Sequence, residues 1–356
     1  MKRIDKELIF VFVLFAAGLG CFLINGKYTD LFAAVCLFVA GLVFLIKGGD
    51  WFVDGATTIA EKFHIPEVII GATVVSIGTT LPEVMVSAQA AVKGISAISY
   101  GNAIGSIICN VSLIAAITLA IKPAKVDKKP LIIPIVFFFI AAAFYCYNAY
   151  VTKTYTRMTG VILLGIFFVY MCVLVASVLK EGKSKNDASA KATEEEKPKM
   201  GMFKALLLLV FGAAIITFGA TLLVDNGTII AEALHVPQTV IALIFVALGT
   251  SLPELVTAIT SLAKGHGALS VGNIIGANLF NLVLVSGLAI TLNPFDLPNE
   301  KQFMGMNASL IIDIPLCLLV MLILALPALI KGKLYRWQGI SLLLLYAGFC
   351  VFQFAF

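Results

Sequence analysis

Charge is scarce in this chain. Only 13% of its 356 residues are Asp, Glu, Lys or Arg, against about 25% in an ordinary soluble domain. Histidine occurs three times and tryptophan twice. There is no CxxC pair and no HExxH, GxGD or GxSG motif, which removes dithiol chemistry, zinc ribbons and the common intramembrane proteases. The seven cysteines all sit in apolar runs and are read as small soft hydrophobes. No ten-residue segments of alternating polarity occur, so a membrane β-barrel is excluded. What fills the chain instead is hydrocarbon: 60% of residues are hydrophobic and the mean hydropathy is +1.03. This is the composition of an all-α polytopic membrane protein.

A spanning helix needs about 17–25 apolar residues. Runs of that kind cover 8–25, 31–60, 66–92, 98–121, 131–149, 158–179, 203–231, 237–263, 268–292, 303–330 and 337–354, eleven in all. A cleaved signal peptide is the rival account of 8–25, but no small-x-small site follows it, so it is read as a span. With the N-terminus in the cytoplasm, 19 basic residues fall inside and 5 outside, with Lys47 within a span. The positive-inside rule favours that orientation, with the C-terminus extracytoplasmic and the protein in the plasma membrane. The net charge of +5 is therefore topological and implies no nucleic-acid partner. Residues 181–202, rich in Lys, Glu, Ala and Ser, read as a mobile cytoplasmic linker. The expected organisation is an extra helix in 1–30, one unit in 31–180, the linker, and a second unit in 203–356.

The two units repeat. Aligning Glu61–Asn110 with Glu232–Asn281 at a constant offset of 171 gives 19 identities in 50 positions without a gap. They include Pro66/Pro237, Gly78/Gly249, Pro82/Pro253, Glu83/Glu254, Lys93/Lys264, Asn102/Asn273 and Asn110/Asn281. Two merely hydrophobic segments would agree at Leu, Ile and Val; here the agreement falls on Gly, Pro, Glu and Asn. Each unit holds five spans, an odd number, so the second enters the membrane upside down. Inverted repeats place a substrate site near the midplane, between the halves, on interrupted helices.

The repeated GTTLPE and GTSLPE supply the chemistry. Pro82 and Pro253 lack an N–H and crowd the carbonyls of Gly78 and Gly249. Carbonyls loosened in this way cannot face lipid. Thr79 and Glu83 are four apart and share a helix face, as do Thr250 and Glu254. Ser106 and Asn110 repeat that spacing one span later, with Ala277 and Asn281 as their counterparts. A carboxylate at mid-bilayer costs about 2.5–3.5 kcal/mol or more, and two that converge need a cation between them. Every converging atom is an oxygen or an amide, which suits a hard cation such as Ca²⁺, and no thiolate or imidazole is present for a softer metal. Asp50, Asp54, Asp225 and Asp313 lie nearer the span ends and are read as polar-face or gate residues. His64 and His235 occupy matched positions and are read as interface residues.

These motifs, GATVVSIGTTLPEV with GNAIGSIICN and ALGTSLPEL with GNIIGANLFN, resemble the two α-repeats of the sodium/calcium exchanger family of cation/calcium antiporters, in its compact prokaryotic form. GGDWFVDGATTIAEKF and RWQGISLLLLY extend the resemblance over about residues 31–356. It implies a secondary antiporter, not an enzyme, that exchanges several Na⁺ for one Ca²⁺ with no cofactor and no obligate protein partner. It also implies that Glu83 and Glu254 are the central ligands, with Thr79, Thr80, Thr250 and Ser251 as hydroxyl or carbonyl donors. Ser106, Asn110 and Asn281 complete the cluster, with backbone carbonyls near Ser76 and Ala247. The chain departs from the family in two places: Ala277 stands where Ser is usual, and Asn281 where some members have Asp. The 8–25 run departs from the ten-helix pattern. A proton-coupled or Mn²⁺/Mg²⁺ antiporter of the same fold is the alternative, although GNAIGS differs from the GNAxEH-type motif of proton-coupled relatives.

Overall fold

The computed structural model describes residues 31–63, 65–188, 200–233, 247–299 and 302–355. The 8–25 run, His64, His235 and the first part of the 237–263 run lie outside the described residues. Ten helices carry the architecture of the described part. They are α1 (Leu31–Lys62), α2 (Glu67–Val92), α3 (Ser96–Ile121), α4 (Lys128–Thr152) and α5 (Arg157–Ala188). The second set is α6 (Met202–Ala233), α7 (Leu252–Ala263), α8 (Gly267–Leu292), α9 (Ser309–Lys331) and α10 (Arg336–Ala355). Among the described residues, eight helices are long and apolar enough to cross a membrane. In hydrocarbon the backbone must satisfy itself, and a helix does so within one segment.

Helix α5 continues to Ala188, so the first eight residues of the expected linker are helical. Glu, Lys and Ala are good helix formers, and EGKSKNDA, although it holds Gly182, contains no proline to stop the turn already running.

Two short ladders tie the halves together. β1 (Ala124–Lys125) pairs antiparallel with β6 (Lys333–Leu334), and β2 (Thr154–Tyr155) pairs with β3 (Phe295–Asp296). A third hairpin, β4 (Gln302–Phe303) with β5 (Met306–Asn307), lies before α9. β1 follows α3 and β3 follows α8, while β2 precedes α5 and β6 precedes α10. Each half thus gives the strand after its third helix to the strand before the other half's fifth.

Among the described residues, buried apolar side chains form two clusters. The larger is built from α3, α8, α4 and α9 around Ile107, Ile108, Phe138, Phe280 and Met321. The smaller holds Leu45, Phe52 and Val53 of α1 with Leu209 and Ile216 of α6, and meets α2 at Ile70 and Val75. α1 and α6 run antiparallel at backbone contact. A Cβ on Gly212 would lie 2.6 Å from the Phe52 nitrogen, and one on Gly219 would lie 2.9 Å from the Gly41 carbonyl oxygen. Small residues permit such approach where no hydrophobic effect drives helices together. α2 meets α8 as closely, because a Cβ on Gly276 would sit 2.6 Å from the Cα of Ala72. Phe168, Val169 and Val173 of α5 are exposed, as a lipid-facing helix requires.

Several helices carry a wide π turn: Gly71–Val75 in α2, Asn110–Ala115 in α3 and Asn281–Val285 in α8. Such turns are frequent at functional sites. The last two begin at the matched asparagines. In α2 the widened turn leaves carbonyls to be satisfied from outside, and Ser76 Oγ donates to Gly71 O (2.7 Å) while Tyr170 Oη of α5 donates to Ala72 O (2.9 Å).

The expected interruption occurs in one half only. In the second, a helical turn Ala247–Thr250 stops at Ser251, whose φ of −91° and ψ of 6° lie outside the helix, and Pro253 falls in the first turn of α7. In the first, Pro82 sits inside an unbroken helical run Ser76–Val92. A proline removes one ladder bond and crowds one carbonyl, which neighbouring helices can support in a membrane protein.

Candidate cation site

Glu83 and Glu254 are both fully buried, at 0% exposure. α2 carries the first and the opening turn of α7 the second, where a carboxylate also meets the positive end of the helix. Each acid is reached by a hydroxyl from the opposite half. Ser251 Oγ donates to Glu83 Oε1 and Thr80 Oγ1 donates to Glu254 Oε1, both at 3.4 Å. A second crossed pair flanks the first. Thr79 Oγ1 donates to Asn273 Oδ1 and Thr250 Oγ1 to Asn102 Oδ1, both at 3.3 Å. Every member of one bond is 171 residues from its counterpart in the other, so the four bonds form two symmetry-related pairs. That offset is the period of the sequence repeat.

Asn102 and Asn273 were not among the expected site residues. Their signal is nevertheless in the repeat, for 102, 106 and 110 follow an i, i+4, i+8 series on one face of α3, and 273, 277 and 281 do the same on α8. Asn102 Nδ2 donates to the Glu83 carbonyl oxygen (3.0 Å) and to Ser87 Oγ (2.8 Å). One amide therefore fixes the backbone under the first acid and a hydroxyl one turn further along the same helix. Asn273 receives Thr79 and also Ser76, whose Oγ donates to Asn273 O at 2.9 Å and to Oδ1 at 3.2 Å.

Ser106 joins the cluster by accepting from Ser251 Oγ at 3.4 Å. Its counterpart Ala277, fully buried, has no oxygen to offer, and here the two-fold pattern breaks. Asn110 and Asn281 are fully buried, and both polar atoms of each side chain have no hydrogen-bond partner among the described residues. The same holds for the second carboxylate oxygens, Glu83 Oε2 and Glu254 Oε2. Buried polar atoms are nearly always partnered, and leaving them otherwise costs about 1–3 kcal/mol each, more when charged. The two acids and the hydroxyls that reach them make an oxygen-rich cage, to which the unpartnered amides of Asn110 and Asn281 would add two more oxygens. Its donor chemistry fits hard cations, which take about six to eight oxygens as Ca²⁺. Among the described residues no group of three or more His, Cys, Asp or Glu gathers anywhere. Ala247 opens the helical turn that ends at Thr250.

Lys264 Nζ contacts Asp54 Oδ1 at 2.7 Å and Asp50 Oδ1 at 3.4 Å. Asp225 lines a cavity of ≈ 900 Å³ between α2 and α6. Asp313 accepts from Gln353 Nε2 at 3.2 Å.

The family described as sodium/calcium exchanger protein matches residues 33–176 and 204–355. An uncharacterized membrane protein of Methanocaldococcus jannaschii is 34% identical over 320 residues, 89% of this chain and 96% of that one. The sodium/calcium exchanger MaX1 of Methanosarcina acetivorans is 30% identical over 353 residues, 89% of this chain and 97% of that one. Among solved structures, the sodium-calcium exchanger NCX_Mj soaked with Na⁺ and Sr²⁺ superimposes with a TM-score of 0.73 at 31% identity, over 89% of this chain and 98% of that one. The same exchanger soaked with Na⁺ and Ca²⁺ gives a TM-score of 0.70.

Proposed function

The chain belongs to the sodium/calcium exchanger family, and from that premise we propose how its two buried acids perform the exchange. It is a membrane antiporter that moves Na⁺ against Ca²⁺, and not an enzyme. Glu83 and Glu254 are the charged ligands. Thr79, Thr80, Thr250, Ser251 and Ser106 supply hydroxyls, Asn110 and Asn281 supply amide oxygens, and the backbone near Ser76 and Ala247 supplies carbonyls. The observation that carries this assignment is the crossed pair of hydroxyl contacts, Ser251 to Glu83 and Thr80 to Glu254. Through it each half of the chain builds the other half's ligand.

Coupling follows from charge. One Ca²⁺ neutralises the two carboxylates, and several Na⁺ do the same with a single extra positive charge. The empty cage holds two negative charges with no cation, and burying them behind a closed apolar gate is costly. The protein therefore changes access only when loaded, and the two ion flows are linked because Na⁺ and Ca²⁺ occupy the same cage in turn. The chain is two inverted five-helix units, 31–180 and 203–356, joined through 181–202. The exchange of β1 with β6 and of β2 with β3 supports that reading. α1 and α6, packed on one another around their own apolar cluster, slide as a unit over the other eight helices. The basic loops face the cytoplasm of a plasma-membrane protein.

Reconstituted full-length protein should take up Ca²⁺ into Na⁺-loaded liposomes and stop when the Na⁺ gradient is abolished. Equal Ca²⁺ flux with no Na⁺ gradient would overturn the proposal. Uptake driven by a pH gradient alone would move the coupling to H⁺.

A further inference from the structure

The structure is asymmetric where the sequence is symmetric. Asp54 of α1 and Asp225 of α6 are 171 residues apart, and so are Lys93 after α2 and Lys264 after α7. The repeat therefore contains two equivalent Lys–Asp pairs. The first is made. Lys264 Nζ lies 2.7 Å from Asp54 Oδ1 and also donates to the Asp50 carbonyl oxygen at 2.9 Å. Beside it α1 is pressed onto α7, where a Cβ on Gly49 would lie 2.6 Å from Val256 Cγ1 and 3.0 Å from Thr260 Oγ1.

The second pair is apart. Lys93 and Asp225 are both exposed, and among the described residues no ion pair joins them. Between their helices lies the ≈ 900 Å³ cavity, with Leu81, Pro82 and Met85 of α2 on one wall and Ala213, Thr217 and Asp225 of α6 on the other. Met85 is the repeat counterpart of Val256. Val256 is in contact with the gate helix, and Met85 is 57% exposed.

The two pairs belong to opposite faces. Gly55 of α1 meets Ala205 and Leu209 of α6, Gly48 meets Ile216, and Gly219 meets Gly41. The helices are antiparallel, so Asp54 and Asp225 stand on the order of 25 Å apart along them at 1.5 Å per residue. Glu67 at the start of α2 contacts His266 at 2.7 Å, two residues beyond Lys264. Lys93 closes the other end of that 26-residue span.

We propose that these are alternate latches of the two access states: Lys264–Asp54 holds α1 against α7 in the state seen here, and Lys93–Asp225 holds α6 against α2 in the other. When the α1–α6 unit slides, the cavity closes on Lys93 as the Lys264 contact opens. This rests on the sliding of α1 and α6 given above. Neither lysine touches the cation cage, so the latches set how the two states are populated without altering what is bound.

The test is a charge swap in the full-length exchanger, read as Na⁺-driven Ca²⁺ uptake into liposomes. K93D and D225K should each slow turnover by about three- to fivefold, the scale of a partly exposed ion pair. The double variant K93D/D225K should return most of that loss. Two singles without effect, or a double as impaired as the sum of the singles, would overturn the latch. A second readout is independent of transport. K93C/D225C should be joined by a short bifunctional thiol reagent, identified as a linked peptide by mass spectrometry. Its yield should rise when K264D releases the opposite latch. No linkage in either background, from a protein whose parent exchanges normally, sinks the latch alone. Failure of the parent to couple Ca²⁺ to Na⁺ would instead strike the functional assignment and leave the cross-linking result standing.

Discussion

Replacing Glu83 by Gln is the sharpest perturbation of the cage, because it removes a charge and almost no volume. The carboxylate is fully buried, and its Oε1 meets one neutral donor, Ser251, at 3.4 Å. A glutamine oxygen can accept that bond equally well. The Asn102 bond goes to the Glu83 backbone and survives. What changes is the charge of the empty site, from two negative to one, so that bound Ca²⁺ leaves an uncompensated positive charge in place of neutrality. Removing one partner of a buried charge pair costs about 3–5 kcal/mol. At about 1.4 kcal/mol per decade, Ca²⁺ affinity should fall by roughly two to three and a half orders of magnitude. Na⁺-driven uptake of ⁴⁵Ca into liposomes should vanish at Ca²⁺ concentrations that saturate the parent. The metal-free protein in detergent should melt at the same temperature or higher, because one of two facing buried negative charges is gone. E83D, with its charge kept and its reach shortened, should retain a fraction of the flux. Uptake by E83Q within a factor of about three of the parent, on a scale where a lost buried partner removes a hundredfold or more, would refute the assignment of Glu83. A marked drop in melting temperature would refute the argument from buried charge.

The broken symmetry at Ala277 makes a gain-of-function test. A277S restores the hydroxyl present at Ser106 and should lower the Na⁺ concentration for half-maximal Ca²⁺ release by up to about tenfold, the scale of one well-placed hydroxyl; an unchanged Na⁺ dependence would place Ala277 outside the cage. N102A strips the partners from Thr250 Oγ1 and the Glu83 carbonyl, so exchange should drop about tenfold, at about 1.4 kcal/mol, for the lost bonds, with N102D partly retaining the Thr250 bond. G276V drives a side chain against the Ala72 backbone and should lower the detergent melting temperature in line with an over-packing cost of about 1–3 kcal/mol or more; an unmoved melt would mean that α2 and α8 are not in backbone contact. Exchange should also fall as the pH drops, because a protonated carboxylate cannot hold a metal ion, and a rate that rises on acidification would contradict Glu83 and Glu254 as the charged ligands.

Much of the architecture is written locally, and so it can be read locally. Most apolar runs of spanning length return as helices within about three residues of their expected ends, from Leu31–Lys62 to Gly267–Leu292. Three stretches depart: α5 runs on to Ala188, the start of the 303–330 run forms the β4–β5 hairpin so that α9 begins at Ser309, and the 237–263 run is interrupted at Ser251. The candidate site was legible because the chain states it twice: Thr79, Glu83, Asn110 and their counterparts recur at one offset. Pro82 shows the limit of that logic. The same dipeptide, Pro-Glu, interrupts one half at Ser251 and runs through unbroken helix in the other, so its effect is set by neighbours and not by its own ring.

The amino-acid sequence alone determined the hydrocarbon environment, the duplicated plan, the two central acids and the all-oxygen character of their surroundings. Each of these is a property of a residue type at a spacing. The tertiary structure decided that the hydroxyls cross over, Ser251 to Glu83 and Thr80 to Glu254, that Asn102 and Asn273 brace them, and that Lys264 is engaged while Lys93 stands clear. Those facts depend on how segments more than a hundred residues apart pack against one another. The two Lys–Asp pairs are equal in the sequence, and packing makes them unequal: α1 lies against α7 at one end, while a cavity separates α6 from α2 at the other.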